Sequence, residues 1–459
     1  ESVKRRERRR NPAPPFTTSS LQQEASRKLN FTARRTMRVA QQLYEGLDVG
    51  SAGTVGLITY MRTDATRVAP EAQQAARQTI AELYGSEYLP TKPPVYKSRA
   101  GAQAAHEAIR PTSMERLPEE VKPFLTQDQQ RLYRLIWERF IASQMAPAIL
   151  DTVTVSIKAG EYAFRASGSA IKFPGFMALY IENTDNNEQA DGDEGMLPEL
   201  VEGEILKLLQ ITPNQHFTQP PPRYSEAMLV KTLEELGIGR PSTYAQIIDT
   251  IRKRGYVVVE EKRFAPTELG NIVVELLKEH FPNIIDIEFT ANMEGRLDRI
   301  EEGQEEWVQV LEEFWGPFEA ELKKAETHME EVEIAEEETD EICEKCGRNM
   351  VIRQGRYGRF LACPGFPECR NTKPLLKKIG VACPECGGEI VERRTRRGRT
   401  FYGCDNYPDC EFTSWQRPVG KNCPECGKFL VLKQRRNQQP KAVCSNKECG
   451  YQVELVEEI

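Results

Sequence analysis

The sequence predicts a multidomain α+β protein in which helical and β-rich modules are followed by three small cysteine-bound modules. Three observations carry this. At 459 residues the chain exceeds what one core can hold, so two to four domains are expected. Apolar residues switch from helical spacing to alternation and back along the chain. All twelve cysteines fall after residue 342, in three repeats.

In chain order, the first residue is Glu1 rather than Met, which suggests a piece of a longer protein. Lys4 to Arg10 is a basic run followed by a Pro-rich turn, and it reads equally as a phosphate contact or a shortened loop. Thr32 is an N-cap for a helix over Ala33 to Glu45, with Met37, Ala40 and Tyr44 at helical spacing and Gly46 as its stop. Val55 to Met61 reads as a short strand ending at Tyr60, and a helix from Pro70 to just before Gly85 follows. Residues two apart in extended chain point the same way, so Arg62 stands beside Tyr60 with a permanent charge. A phenol is a poor nucleophile near neutral pH unless a cation stabilises its phenolate, and Arg62 supplies one that can also clamp a phosphate oxygen. Against this stands the commoner fate of a strand tyrosine, packing.

Small residues from Ser98 to Ala105 would admit a close backbone neighbour, and His106, Glu107 and Arg110 add a titratable group, an acid and a cation. Gln127 to Ala146 reads as a core helix through Leu132, Leu135, Ile136 and Phe140, and Ile149 to Phe164 alternates as strands. The acidic loop Asn183 to Gly195, including Asp191-Gly192-Asp193, carries no chemistry that its residues define.

Ser225 caps a helix with Leu229, Leu233 and Leu236 on one face, and Gly237-Ile238-Gly239 breaks it. A helix from Pro241-Ser242-Thr243 carries Tyr244, Ile247, Ile248 and Ile251 on one face and ends in Arg252-Lys253-Arg254. Tyr256 to Ala265 reads as a hairpin and Glu268 to His280 as a third helix, with Ile272, Val273, Leu276 and Leu277 inward; together these make a winged-helix-like unit. No strand precedes the paired glycines and no Gly-Lys-Ser/Thr follows, so neither a dinucleotide loop nor a P-loop is present.

The cysteines group as Cys343, Cys346, Cys363 and Cys369; Cys383, Cys386, Cys404 and Cys410; and Cys423, Cys426, Cys444 and Cys449. Each set reads Cys-x2-Cys, a spacer, then a second close pair, with Gly347, Gly387 or Gly427 after the first knuckle. Four soft ligands at this spacing suit a structural zinc ion, and four thiolates leave no open position for catalysis. The spacers carry Arg353, Arg356, Tyr357, Arg359 and Phe360, then Arg393, Arg394, Arg396, Arg397, Arg399, Phe401 and Tyr402. Cations interleaved with aromatics suit single-stranded nucleic acid, although about half of those rings are needed for the ribbon cores.

The net charge of -7 hides a segregation: residues 294–342 carry 19 acidic against 4 basic side chains, while 343–459 carry 22 basic against 13 acidic. An acidic connector beside a basic tail points to a polyanionic partner for the tail. No stretch approaches the apolar length of a membrane span, and nothing reads as a signal peptide, so a cytoplasmic protein is expected.

Gly56-Leu57-Ile58-Thr59-Tyr60-Met61-Arg62-Thr63-Asp64 resembles the active-site segment of type IA DNA topoisomerases, nearest to their bacterial topoisomerase I branch. The run Thr17 to Arg27, His106-Glu107-Ala108-Ile109-Arg110-Pro111, Pro220 to Ala227, Gly239 to Ala245, Phe289 to Glu294 and the three tandem cysteine modules extend the resemblance from about Pro15 to Cys449. It implies that Tyr60 attacks a DNA phosphodiester with Arg62 and His106 assisting, and that Arg110, Arg240, Ser242, Thr243 and Arg254 face DNA phosphates or a bound nucleotide. Asn292 departs from the residue usual in the family. The implied domains are a β-rich arch from 1–19 and 147–215, a catalytic tyrosine domain over 20–146, a winged-helix-like DNA-binding domain over 216–330 and an acidic linker over 331–342. Zinc ribbons follow over 343–378, 379–418 and 419–459. The implied partners are single-stranded and negatively supercoiled DNA, met by a nucleoid-associated monomer, with RNA polymerase left open. The family also uses an N-terminal Toprim domain whose acids hold magnesium; no Asp-x-Asp-x-x-Gly cluster occurs here, so the piece alone is expected to bind DNA without completing the reaction. Alternatives are a non-catalytic zinc-ribbon and winged-helix DNA-binding protein or, within the family, topoisomerase III or reverse gyrase.

Overall fold

The computed structural model describes residues 2–50, 53–97, 106–182, 197–330, 332, 337–355, 358–395, 400–433, 440–446 and 448–454. The small-residue run 98–105, the acidic loop 183–195 and Arg356, Tyr357, Arg396, Arg397 and Arg399 fall outside these residues, and the side chains of Arg359 and Arg394 are likewise not described. The chain divides into two compact units, Glu1–Val332 and Glu333–Ile459. As the sequence predicts, helices and several small sheets mix within them. Among the described residues, no helix is long and apolar enough to cross a membrane.

The first unit opens with β1 (Ser2–Arg10), α1 (Thr18–Glu24) and a π-helical turn over Ala25–Leu29. Next come α2 (Ala33–Glu45), the paired stubs β2 (Leu47–Asp48) and β3 (Thr54–Val55), and α3 (Pro70–Tyr84). Thr32 caps α2 by accepting from the Arg35 amide at 3.2 Å, and Gly46 ends it at φ +115°, where glycine alone is unstrained. A short α4 (Pro118–Val121) precedes α5 (Gln127–Gln144), which is the spine of the core. Leu132, Ile136 and Phe140 of α5 are sealed against Leu21, Leu43, Leu57 and Ile109. Thr126 closes the N-terminus of α5 in a reciprocal cap with Gln129.

Strands β4 (Ala148–Ala159) and β5 (Tyr162–Phe173) form a hairpin that runs further than the alternation over 149–164 suggests. β1 pairs antiparallel with β4 along its whole length, giving the sheet order β1-β4-β5 and joining the start of the chain to its middle.

Next come α6 (Glu226–Glu235), α7 (Tyr244–Lys253), the hairpin β6 (Val257–Glu260) with β7 (Arg263–Pro266), and α8 (Glu268–His280). These boundaries follow the sequence reading closely. Ser225 accepts from the Met228 amide at 3.1 Å, and Val230, Tyr244, Ile248 and Phe264 form a small core. Leu236 differs from expectation: it lies past the last turn of α6 and is exposed. This small core also takes in Ala33 of α2, so the winged-helix-like unit packs on the helical body. Arg34 to Asp249 at 2.9 Å and Lys262 to Asn30 at 2.8 Å lie along the same seam. Helices α9 (Ile287–Glu301) and α10 (Trp307–His328) complete the unit.

In the second unit each cysteine module is a four-stranded antiparallel sheet, over 337–374, 377–414 and 418–454. Each has a core of a few side chains, such as Met350 and Leu361, or Ile390 and Phe412. Phe412 meets Phe429 edge-on at 5.1 Å, which links the middle ribbon to the last.

Candidate functional site

Tyr60 does not sit at the end of a regular strand. The ladder stops at Val55, and the only further pairing near the tyrosine among the described residues is an isolated bridge between Ile58 and Pro111. Thr59 donates its amide to the Arg110 carbonyl at 2.9 Å, and Thr112 donates to Leu57 at 3.0 Å. The Leu57 amide is committed to Leu43 and the Arg110 amide donates to the Thr59 hydroxyl at 3.0 Å, so the pairing does not propagate. The segment is held instead by several neighbours. Leu57 donates to Leu43 at 2.7 Å, the Thr59 hydroxyl donates to the Ala108 carbonyl at 2.7 Å, and the Thr112 hydroxyl donates to Gly56 at 2.7 Å.

Beyond Tyr60, Thr18 at the start of α1 takes over. Its hydroxyl donates to the Met61 carbonyl at 2.7 Å and accepts from the Thr63 amide at 2.9 Å, while its own amide donates to Thr63 at 2.8 Å. Next to it, Ser19 donates to Glu234 of α6 at 2.7 Å, so one helix N-terminus holds both the tyrosine segment and the winged-helix-like unit. Replacing Thr18 with Val leaves buried backbone groups at Met61 and Thr63 without this partner. A loss of about 1–3 kcal/mol in unfolding free energy is expected by denaturant titration. Gly56 is needed for closeness: a Cβ there would lie 2.6 Å from the Tyr44 carbonyl oxygen at the end of α2. Gly56→Ala is expected to cost about 1–3 kcal/mol in the same measurement, and a cost below about 0.5 kcal/mol would show that the segment has slack.

These bonds leave Met61 and Thr63 buried, with Tyr60 and Arg62 turned outward between them. Tyr60 is 40% exposed, so its ring is reachable from solvent. Its faces are braced by two rings: Tyr44 at a centroid distance of 5.4 Å and His106 at 5.8 Å, both edge-on. Met37, Ala40 and Tyr44 share helical spacing along α2. The structure buries Thr36, Val39, Ala40 and Leu43 there and leaves Tyr44 40% exposed against Tyr60, because the inward stripe runs one residue earlier.

The sequence-predicted cations fall into two groups. Arg62, Ser242 and Arg254 are exposed, and no side-chain partner holds Arg62 or Arg254 among the described residues. Arg110 is half-buried, donating from Nε to Glu107 at 2.8 Å and from Nη1 to the Pro111 carbonyl at 3.0 Å. Arg240 lies across α9, donating to Asp298 at 2.6 Å with Glu294 at 3.5 Å. Thr243 accepts from the Arg240 amide at 2.8 Å and so shapes the turn into α7. Sequence reasoning named Glu107 without pairing it to Arg110, and it missed the engagement of Arg240 by Asp298 and the roles of Thr18 and Ser19. None of these pairings leaves a periodicity to read.

The three cysteine sets converge as their spacing requires, with all four Sγ atoms of each set within 4.8 Å of one another. Within sets, Cys346 and Cys363 are 3.2 Å apart, Cys386 and Cys404 3.3 Å, and Cys423 and Cys449 3.6 Å. Disulfides would need about 2.05 Å. Four sulfurs around a zinc ion at about 2.3 Å lie about 3.8 Å apart, so the donor sets fit that metal. Gly347, Gly387 and Gly427 turn each knuckle at φ between +72° and +77°. A hydrogen bond from the Gly388 amide pulls the Cys386 thiol down to about 7, and the Lys428 amide does the same for Cys426, favouring the thiolate that a metal needs. Phe366 and Tyr407 project from the second knuckles of the first two ribbons, both well exposed. They are exposed rings that the spacer reading overlooked.

The pattern defining the DNA topoisomerase family matches residues 1–312. That of the topoisomerase DNA-binding C4 zinc finger matches residues 340–378, 380–419 and 420–457. The crystal structure of full-length topoisomerase I from Thermotoga maritima is similar at 36% identity and a TM-score of 0.62, covering 82% of this chain. The present chain spans 59% of that protein's length. With an exposed tyrosine braced between two rings and three tetrathiolate modules later in the sequence, the chain belongs to the type IA DNA topoisomerases, is topoisomerase I-like, and carries three zinc-ribbon DNA-binding domains.

Proposed function

We propose that this chain supplies the cleaving tyrosine and much of the DNA-binding surface of an ATP-independent enzyme that relaxes negatively supercoiled DNA. The observation that carries the reading is Tyr60: a ring fixed on two sides, with its segment tied down on both flanks, and exposed to solvent. Its phenolic oxygen attacks a backbone phosphorus, the bond to the 3′ oxygen breaks, and a 5′-phosphotyrosine forms. The phenolic proton leaves and the 3′ oxygen takes one up. Religation reverses these steps and conserves the bond energy, so no nucleotide hydrolysis is needed. Arg62 is placed to bind the phosphate oxygens, and His106, edge-on to Tyr60, is the titratable ring beside the reacting centre.

The magnesium that the family uses would polarise the phosphate. The described residues fit it poorly, since the only clusters of three or more metal-ligating side chains among them are the cysteine sets and Glu107 is engaged by Arg110. No step is therefore routed through it here. These 459 residues expressed by themselves should bind DNA without relaxing it. Relaxation of supercoiled plasmid by the isolated chain would overturn that part of the reading.

The ribbons, with Phe366 and Tyr407 exposed and Arg393 over the Tyr407 ring at 5.3 Å, are suited to hold single-stranded DNA. The combined variant Phe366→Ala, Tyr407→Ala should weaken oligonucleotide binding by about 2–6 kcal/mol if both rings stack on bases, as read by fluorescence anisotropy. A monomer acting at the nucleoid suits this arrangement.

A further inference from the structure

We propose that one face of the three-stranded sheet is a docking surface for the backbone of duplex DNA, separate from Tyr60 and from the ribbons. Directly opposed residues in antiparallel strands point to the same side of a sheet. The register therefore aligns Lys4 with Thr154 and Ser167, Arg6 with Thr152 and Ser169, and Ser2 with Ser156 and Arg165. On that side stand Lys4, Arg6, Arg8, Arg10, Lys158 and Arg165, with no Asp or Glu on any of the three strands. The two acids of these strands, Glu7 and Asp151, point to the opposite side, where Glu7 pairs with Lys172.

The opposite side is also the apolar one. Val155, Ile157 and Phe164 point there and, with Leu200, Val201 and residues 203–212, line a cavity of about 910 Å³ that Ser156 and Lys158 also border. Apart from the end where Ala148 and Leu150 share this side and are buried, the cationic side is open to solvent: Lys4, Arg6 and Arg165 are exposed, and no ion pair holds Lys4, Arg6, Lys158 or Arg165 among the described residues. Charges on an edge strand can simply block strand addition, as β1 requires at its open edge. That need does not explain why acids are absent from this face of β4 and β5, or why Thr152, Thr154, Ser167 and Ser169 stand beside Lys4 and Arg6 there.

Alternate residues of β1 lie about 6.8 Å apart, close to the step between successive phosphates of a nucleic-acid strand. Serine and threonine hydroxyls and guanidinium groups are the donors that meet phosphate and sugar oxygens without reading sequence. Tyr162, Phe164 and Phe173 all lie on the other side, so this face offers no ring on which an unpaired base could stack. Backbone-only contact favours duplex over single strands. The proposal rests on the topoisomerase reading for the identity of the polyanion, and it gives that reading a place to hold uncut DNA.

The test is equilibrium binding of a fluorescent duplex and a single-stranded oligonucleotide to the whole chain, across a series of salt concentrations. It compares Lys4→Gln, Arg6→Gln, Arg165→Gln combined against Arg5→Gln, Arg9→Gln, Lys172→Gln combined, which removes equal charge from the other side. The first variant should lose at least about tenfold in duplex affinity, and its slope of log K against log salt should fall by about 2.7, or about 0.9 per phosphate contact. Its single-strand affinity and melting temperature should be unchanged, and the second variant should bind duplex normally. Unchanged duplex binding by the first variant, or the same loss in the second variant or on single-stranded DNA, would overturn the proposal. Binding needs no cleavage, so the result does not depend on whether Tyr60 reacts.

Discussion

Tyr60→Phe in the complete enzyme is expected to abolish the covalent DNA adduct and lower plasmid relaxation by at least about 10³-fold, because the change deletes the oxygen proposed to exchange with the sugar oxygen. The substitution keeps the ring, so the edge-on contacts with Tyr44 and His106 persist. With 40% of the residue exposed, the lost hydroxyl leaves no buried group unpaired, and the melting temperature should not move. Oligonucleotide affinity should likewise stay within about twofold, since the cations around the site are untouched. Loss of activity with folding and binding preserved is the signature of a reacting group. Residual relaxation within about tenfold of the parent would place the nucleophile elsewhere.

Removing the metal should act on the other unit alone. The ribbon cores hold only a few side chains each, too few to sustain a fold by burial, so their stability depends on the tetrathiolate sites. Structural zinc sites of this type contribute about 10–16 kcal/mol near neutral pH, far more than such cores supply. Chelation is expected to release three zinc ions per chain and unfold residues 337–454, while the helical signal of the first unit survives. Cys404→Ser should reduce the zinc content from three ions to two and leave the first ribbon folded. The middle and last ribbons share the Phe412 to Phe429 contact, so the last should also lose protection against proteolysis in that variant. Acidification should release the metal as protons compete for the thiolates.

How far these features are legible in the sequence depends on the range of the interactions that make them. The caps at Thr32 and Ser225, the stop at Gly46, the helix start at Pro70 and the helix-turn-helix with its hairpin are local devices, and the structure places them as read. The ribbons are legible because a tetrahedral metal imposes its ligand spacing on the chain. The tyrosine segment is different. Its composition suggests a strand, yet the Leu57 and Arg110 amides that would extend the ladder go to Leu43 and to the Thr59 hydroxyl, and Thr18, Leu43 and Ala108 hold the segment from three directions. Tyr44 fits helical periodicity and is still turned outward, because one residue of phase separates the inward stripe from the site. Arg240 reads as a free phosphate ligand until Asp298, 58 residues further on, is seen against it. The basic run Lys4 to Arg10 acquires meaning only from its register against β4, which no local pattern reveals.

The central claim is that one phenol becomes covalently linked to DNA, and peptide mapping tests it most directly. The complete enzyme would be trapped on a single-stranded oligonucleotide, digested with protease and nuclease, and the peptide bearing the nucleotide remnant sequenced by mass spectrometry. The account predicts a phosphotyrosyl bond to the 5′ end of the cut strand, on the peptide containing Thr59-Tyr60-Met61. A remnant on any other residue, or on Tyr60 through a 3′ phosphate, would contradict it.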